Sequence, residues 1–366
     1  MIIYTQAEAV TENLEPLPYF RFYFLVMRAI YILVPLFFSI AAPAQRIKNQ
    51  TGTRKLPIID MHLHAMKADD QGTPPVPFCL PVTELPVSDP SKEYGPQFFG
   101  WLNGKDCRKK ILSPITDTGL MAKTIEIMKR NNVYGVISGS QTEEWVKHAP
   151  ERLIPGLRFR LNTATPSSDS IREIFKKGFY KVLGEVGIQY EGYEVNDSLF
   201  EPYLAIMEEL DIPVAIHIGT GPPGAPYLGN SKYRARMHSP LALEDVLIRH
   251  PRLRLYIMHA AWPMLDDLLA LLWTHPQVYA DVGAISFALP QKEFHRYLQR
   301  IVETGFGKRI MFGSDQMVWP ETIEYAIESI QAASFLSPQQ KRDILFNNAA
   351  RFLRLSDEQI KAMQDN

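Results

Sequence analysis

From Leu56 onward, short apolar runs alternate with longer amphipathic stretches, and this alternation carries most of the structural information in the chain. Runs of strand length occupy 57–63, Val133–Ser138, Leu153–Arg158, Tyr180–Glu185, Pro213–His217, Arg254–His259, Val278–Val282 and Arg309–Gly313. Such short runs, bounded by turn residues, suit strands covered on both faces. Most intervening segments read as helices. One is predicted from Ser198, where Glu201 completes a capping-box pattern and Leu199, Tyr203, Ile206, Met207 and Leu210 follow at helical spacing. Another starts at Ser239-Pro240, since proline suits the first helical position, and ends at His250-Pro251. A third opens at Pro263 and runs through Leu265, Leu268, Leu269 and Leu272 to His275-Pro276. Strands joined by helical crossovers predict parallel pairing with right-handed connections, and eight of them close naturally into a (β/α)8 TIM barrel. The competing architecture is an open, doubly wound sheet.

Polar residues at the strand ends decide between the two. In the first run Asp60, His62 and His64 alternate with Ile59, Met61 and Leu63, so a period of two directs both imidazoles to one side. Glu185, His217, His259 and Asp315 each sit at or just beyond the end of a later run. An open sheet gathers ligands at one switch point, whereas a barrel gathers them from many strand ends at one mouth. Imidazoles and carboxylates assembled in this way are the ligand set of a divalent metal with hydrolytic chemistry. His148, His250, His275 and His295 fall near helix ends or on predicted helices and read as surface or capping residues; His238 lies nearer the site loops.

Composition narrows the class. The chain has 366 residues and a formal net charge of −1, with no basic run and no interleaving of basic and aromatic residues, which argues against nucleic acid or an acidic membrane surface as a partner. A small-molecule substrate is expected, and a homo-oligomer is compatible with the sequence. Residues 1–44 form an N-terminal extension: Arg28, the apolar run Ala29–Ala41 and Ala42-Pro-Ala44 read as a signal peptide cleaved near Ala44, with Met27 as a candidate start. A membrane span needs about 20 apolar residues, and lengthening this run backward would bury Arg28 at a cost of roughly 3 kcal/mol. The expected product is therefore periplasmic or secreted, with residues 45–366 forming the barrel domain. The segment 66–118 is too long for an ordinary connection and is rich in proline; an insertion of this size beside a barrel mouth caps the site, contacts a neighbouring subunit, or packs as a surface excursion. It carries both cysteines, Cys79 and Cys107, which in an oxidising compartment could bridge, or could remain free thiols.

Taken together, Asp60-x-His-x-His64, Gly184-Glu-Val-Gly187, His217-x-Gly219, His259, Gly313-Ser-Asp315 and the closing Asn347-Asn-Ala-Ala-Arg-Phe-Leu353 resemble the amidohydrolase superfamily, in its amidohydrolase-2 branch, over roughly residues 55–355. The resemblance implies a (β/α)8 barrel with one or two divalent ions, zinc by default from the ligand types and manganese or iron allowed. His62 and His64 are the first ligand candidates. Asp60 either fixes a histidine tautomer from behind or is a simple strand-end polar residue. Asp315 can both bind the metal and take a proton from its water. In a mononuclear site His217 completes the shell and His259 orients substrate or water; in a binuclear site both hold a second ion bridged by Glu185. Ala261-Trp262 departs from the family, which often has glycine two places after that histidine. For substrate contacts, Arg234 and Arg236 could grip a carboxylate or simply be solvated, and Trp262 and Trp319 could wall a cleft or pack in the rim. The expected function is an exported hydrolase that uses a metal-activated hydroxide on a C–N or C–O bond of an amide, lactone or similar group. The alternatives are a decarboxylase or hydratase on the same scaffold, and a non-catalytic binding protein that retains a metal.

Overall fold

The computed structural model describes residues 55–85, 87–102 and 109–365. The signal-peptide reading falls on 1–44, outside the described residues. Ten strands occur among them: β1 (Ile58–His64), β2 (Pro77–Leu80), β3 (Lys109–Leu112), β4 (Val133–Ser138), β5 (Leu153–Phe159), β6 (Val182–Val186), β7 (Val214–His217), β8 (Leu255–Met258), β9 (Tyr279–Asp281) and β10 (Ile310–Met311). Eight of these run in the order β1-β4-β5-β6-β7-β8-β9-β10, each parallel to its neighbour. The ring is closed by backbone bonds between its ends, Met61 N–H to Phe312 C=O at 2.9 Å and Asp315 N–H to His62 C=O at 2.7 Å. Each of the eight runs predicted from the sequence overlaps one barrel strand.

Two apolar layers hold this barrel. Ile59, Met61, Val136, Val182, Ala215, Tyr256 and Met311 fill its interior, and Phe346, Ala349 and Phe352 from the C-terminal helical segment plug the end opposite the mouth. The other strand face, with Val133, Ile137, Leu183, Ile216, Ile257 and Phe312, packs against helices through Leu120, Ile127, Leu204, Leu268 and Phe294. Every such side chain taken wholly out of water contributes about 1.5–3 kcal/mol, which favours the closed ring over any arrangement leaving one face wet.

Two local expectations are corrected. The helix expected from Ser198 spans Glu201–Glu209, and its N-cap, Phe200, makes no side-chain bond. Asp197 Oδ1 accepts from Leu199 N–H at 2.9 Å instead, so an Asx turn ahead of the helix takes over the role expected of Ser198. The Pro-rich insertion is also more ordered than a plain loop. It folds as the antiparallel hairpin β2–β3 and a helix over Tyr94–Leu102. Thr116 then caps the helix Asp117–Arg130 by accepting from Gly119 N–H. Trp319 anchors the hairpin by donating Nε1–H to Val76 C=O at 2.9 Å, while Tyr94 donates to Pro223 C=O at 3.1 Å, fixing the helix to the loop beyond β7. Cys79 is disulfide-bonded; Cys107 lies outside the described residues. No described helix is long and apolar enough to cross a membrane.

Candidate metal centre

Two strands carry one residue more than their neighbours where they reach the mouth. Between Asp60 and Leu63, β1 has three steps against two in β4, and between Leu183 and Val186, β6 has three against two in both β5 and β7. Such bulges re-aim side chains and leave a backbone N–H in need of a partner. In β1 that partner is Asp60, whose Oδ1 accepts from His62 N–H and Ser314 N–H, each at 2.9 Å. In β6 Glu185 N–H donates to Ser138 Oγ at 3.0 Å. Beyond β10, Gln316 brackets the opposite side: its Oε1 accepts from His64 N–H at 3.0 Å, and its Nε2 donates to His64 C=O at 2.6 Å. Asp315 and His259 have φ of 54° and 61°, left-handed values that cost a non-glycine residue about 1–3 kcal/mol and persist only where surrounding bonds dictate them.

This backbone directs the side chains to one buried cluster. His64 Nε2 lies 2.9 Å from Asp315 Oδ1 and 3.8 Å from Glu185 Oε2, and His62 Nε2 lies 3.6 Å from Asp315 Oδ1. His259 Nδ1 lies 3.0 Å from Gly283 C=O, which makes that nitrogen the protonated one in a neutral ring and leaves the lone pair on Nε2. That Nε2 is 3.1 Å from His217 Nδ1, itself 2.7 Å from Glu185 Oε1. Two triads have ligand atoms within 4.8 Å of one another, His62–Glu185–His259 and His62–His64–Asp315. His217 stands behind the first, reaching it through Glu185 and His259. All six residues singled out at the strand ends are thus brought together.

Burial alone would neutralise the carboxylates, yet their neighbours win. Burial raises the pKa of Glu185, but the hydrogen bond and charge of His217, then His64 and Arg160, hold it well below the ordinary value. Burial likewise opposes ionisation of Asp315, and His62, His64 and His259 bring it below its usual range. For His62 the penalty of burial is exceeded by the fields of Asp315 and Asp281, raising its pKa to about 10. His259 goes the other way, to about 4, because burial and the nearby His217 and His62 disfavour its charge. Asp60, wholly enclosed, is raised to about 7. The carboxylates and imidazoles of the centre thus set one another's charge.

The donor set fits a divalent ion. His62 Nδ1 and Nε2 and His64 Nδ1 are buried and lack a hydrogen-bond partner among the described residues, a condition that persists in folded proteins when another group satisfies the atom. Two imidazoles and a carboxylate converging on one point suit zinc, with manganese or iron compatible.

One residue escaped sequence reading. Asp281, at the end of β9, places Oδ2 3.3 Å from His62 Nδ1, and its Oδ1 accepts from His259 N–H at 3.1 Å and Gly283 N–H at 2.8 Å. It occupies the place behind the histidine that Asp60 was a candidate for, while Asp60 holds backbone. Glycine at 283 is required by this packing, since a Cβ there would fall 2.6 Å from His62 Nδ1. The proposed substrate contacts fare differently. Arg234 is exposed and donates to the carbonyls of Ser231 and Tyr233, and Arg236 is exposed too. Trp319 is buried at the base of the hairpin and packs on Phe78, with ring centroids 4.7 Å apart. Trp262 is half-buried and accepts from Thr220 N–H through its carbonyl. His238 is buried between His217 and Tyr233, with burial pressing its pKa down to about 2.

The amidohydrolase family profile matches residues 59–355, nearly the whole of the described chain. The chain belongs to the amidohydrolase-2 family. It is 19% identical over 216 residues to the protein fluG of Emericella nidulans, a stretch covering 53% of this chain and 24% of that one, so the chain spans about a quarter of its curated relative. Among solved structures, an uncharacterised TIM-barrel protein from Bordetella bronchiseptica superposes with a TM-score of 0.55 at 18% identity, covering 84% of this chain and all of the other. The 4-oxalomesaconate hydratase of Rhodopseudomonas palustris gives 0.51 at 18% identity, covering 83% and 98%. At these identities the structural likeness shows the (β/α)8 fold alone, and the family rests on the profile match.

Proposed function

We propose that the chain is a metal-dependent hydrolase that cleaves a C–N or C–O bond, in an amide, a lactone or a similar group of a small molecule. The observation that carries this reading is the buried convergence of Asp315, Glu185, His64 and His62, whose Nε2 has no hydrogen-bond partner among the described residues. His62, His64, Glu185, His217, His259 and Asp315 would hold the ion, and the sharing of His62 between both triads supports one ion rather than two. A bound divalent cation would supply Lewis acidity, polarising a carbonyl and acidifying water. Asp315 is the group suited to take a proton from the attacking water and return it to the leaving group, since its depressed pKa keeps it ionised at neutral pH. His259, with its lone pair directed inward and its pKa low, is better suited to ligation than to donating a hydrogen bond to an oxyanion. Asp281 holds His62 in one orientation, Asp60 and Gln316 fix the bulged end of β1, and Ser138 fixes that of β6.

The test is a panel of lactones, amides, esters and aromatic carboxylates offered to the metal-loaded protein in H₂¹⁸O. Incorporation of ¹⁸O into a cleaved product supports the reading. Carbon dioxide release without incorporation assigns the site to a lyase, and ligand capture without turnover makes it a binding protein. Export is part of the same proposal: the disulfide at Cys79 supports an oxidising compartment, and N-terminal sequencing of the exported chain should find a start near Gln45.

A further inference from the structure

Strand β5 ends in Arg158-Phe159, and Arg160 follows directly. Its parity is set lower down, where Ile154 packs on the inner cluster, and Phe159 turns outward to stack near Phe200 and Tyr203 at 5.4 and 4.8 Å. The two arginines therefore share the inward face at the mouth. Arg160 lies flat along the end of β6: a Cβ on residue 187 would sit 1.4 Å from its Nη1, so Gly187 is what makes room for the guanidinium. The guanidinium also stands over the Tyr190 ring, 5.2 Å from the centroid, and Tyr190 in turn has its hydroxyl 3.4 Å from His217 Nε2. Arg160 is thus built into the wall of the metal centre. Yet its Nη1 is buried with no hydrogen-bond partner among the described residues, while Arg158 beside it is exposed. The nearest inward acids are already engaged: Glu185 with His217, Asp315 with His64, and Asp281 with His62 and two backbone amides. Arg160 meets Glu185 only through its field, and Arg158 stands beside it, so this pair of like charges keeps donors free for an anion from outside.

We propose that Arg158 and Arg160 form the seat for a carboxylate of the substrate, so that the bond acted on belongs to an anionic molecule. This rests on the metal-dependent reading of the mouth. It gives Arg158 and Arg160 the role for which Arg234 and Arg236 were the candidates. A planar guanidinium held on a tyrosine face presents paired donors in a fixed plane, which fits carboxylate better than a flexible lysine would.

Binding of two probes to the metal-loaded full chain separates this seat from the metal. Glutarate carries a second carboxylate able to reach the arginines, whereas acetohydroxamate is a small neutral chelator that reports on the ion alone. Wild-type protein is expected to bind both. Arg160→Gln and Arg158→Gln should each weaken glutarate at least about tenfold, leaving acetohydroxamate and metal content within about twofold. Arg160→Lys, which keeps the charge and lets the Tyr190 wall stand, should retain part of the glutarate affinity. Unchanged glutarate binding in both glutamine variants, or none in a wild type that takes acetohydroxamate, overturns the proposal. A wild type that binds neither metal nor acetohydroxamate overturns the metal reading instead.

Discussion

Two buried histidine clusters occupy this barrel, and they differ in how their ring nitrogens are satisfied. Between the helices Glu201–Glu209 and Glu244–Arg249, His250 has Nε2 2.8 Å from Glu201 Oε1 and Nδ1 3.2 Å from Glu208 Oε2, so each nitrogen has a protein carboxylate of its own. Arg249 and the Arg252 amide close the network from outside. At the mouth the carboxylates are as close, but His62 Nε2 and His64 Nδ1 lack a hydrogen-bond partner among the described residues, while His62 Nδ1 faces Asp281 at 3.3 Å. The first arrangement is complete as folded. The second is complete only with something added. Counting histidines and acids would not separate them; asking whether each donor and acceptor is matched does.

The largest difference should come from removing the shared ligand. His62→Ala is expected to bring bound metal from about one ion per chain to near zero by elemental analysis, with far-UV circular dichroism unchanged, because the barrel core does not depend on that ring. Retained stoichiometry would remove His62 from the site. Asp315→Asn should keep the fold and lower kcat by about 10²–10⁴, the range for a positioned general base. A rate near wild type would rule out its proton role. Asp281→Asn, which touches no substrate, should weaken metal binding about 10–100-fold, as loss of a carboxylate behind a ligating histidine does. Metal affinity unchanged in a competitive chelator titration would show that Asp281 is only a backbone clamp.

The smallest effect belongs to the other cluster. Burial opposes ionisation of Glu208, while bonds from the Arg252 amide and His250 hold its pKa below the ordinary glutamate value. A depressed carboxylate stabilises the fold above its unfolded pKa, and that contribution is lost as pH falls through the folded value. Glu208→Gln should therefore lower Tm by a few degrees at neutral pH, and the deficit should shrink at pH below the ordinary glutamate range. Metal content should not move. If Glu208→Gln emptied the mouth, the two clusters would not be independent.

How much of this was legible beforehand depends on which force fixes each feature. The eight strands were, because burial on both faces imposes an apolar run that no other element of that length requires. The six mouth residues were as well, since polar groups at the ends of such runs stand out. Asp281 was not: it closes a three-residue strand, and nothing in Tyr279-Ala-Asp281 distinguishes an acid behind a ligand from an ordinary strand-end aspartate. The bulges in β1 and β6 were also hidden, because an extra residue is visible only against the neighbouring strand's register. Asp60 was singled out for its alternation with His62 and His64, but the bulge changes its partner from an imidazole to backbone amides. Arg158-Phe-Arg160 did carry a signal, two cations in alternation at a strand end; the same reasoning that found His62 and His64 would have found it. Arg234 and Arg236 drew attention by their charge and their place in the loop beyond β7, and side chains on an irregular loop have no parity to fix their direction.

The account stands on a resident divalent ion at the barrel mouth. Its most direct test is elemental analysis of the purified full chain after exposure to zinc or manganese and removal of excess, compared with His62→Ala treated identically. About one ion per wild-type chain and almost none in the variant is the expected result; folded wild-type protein that emerges without metal contradicts it.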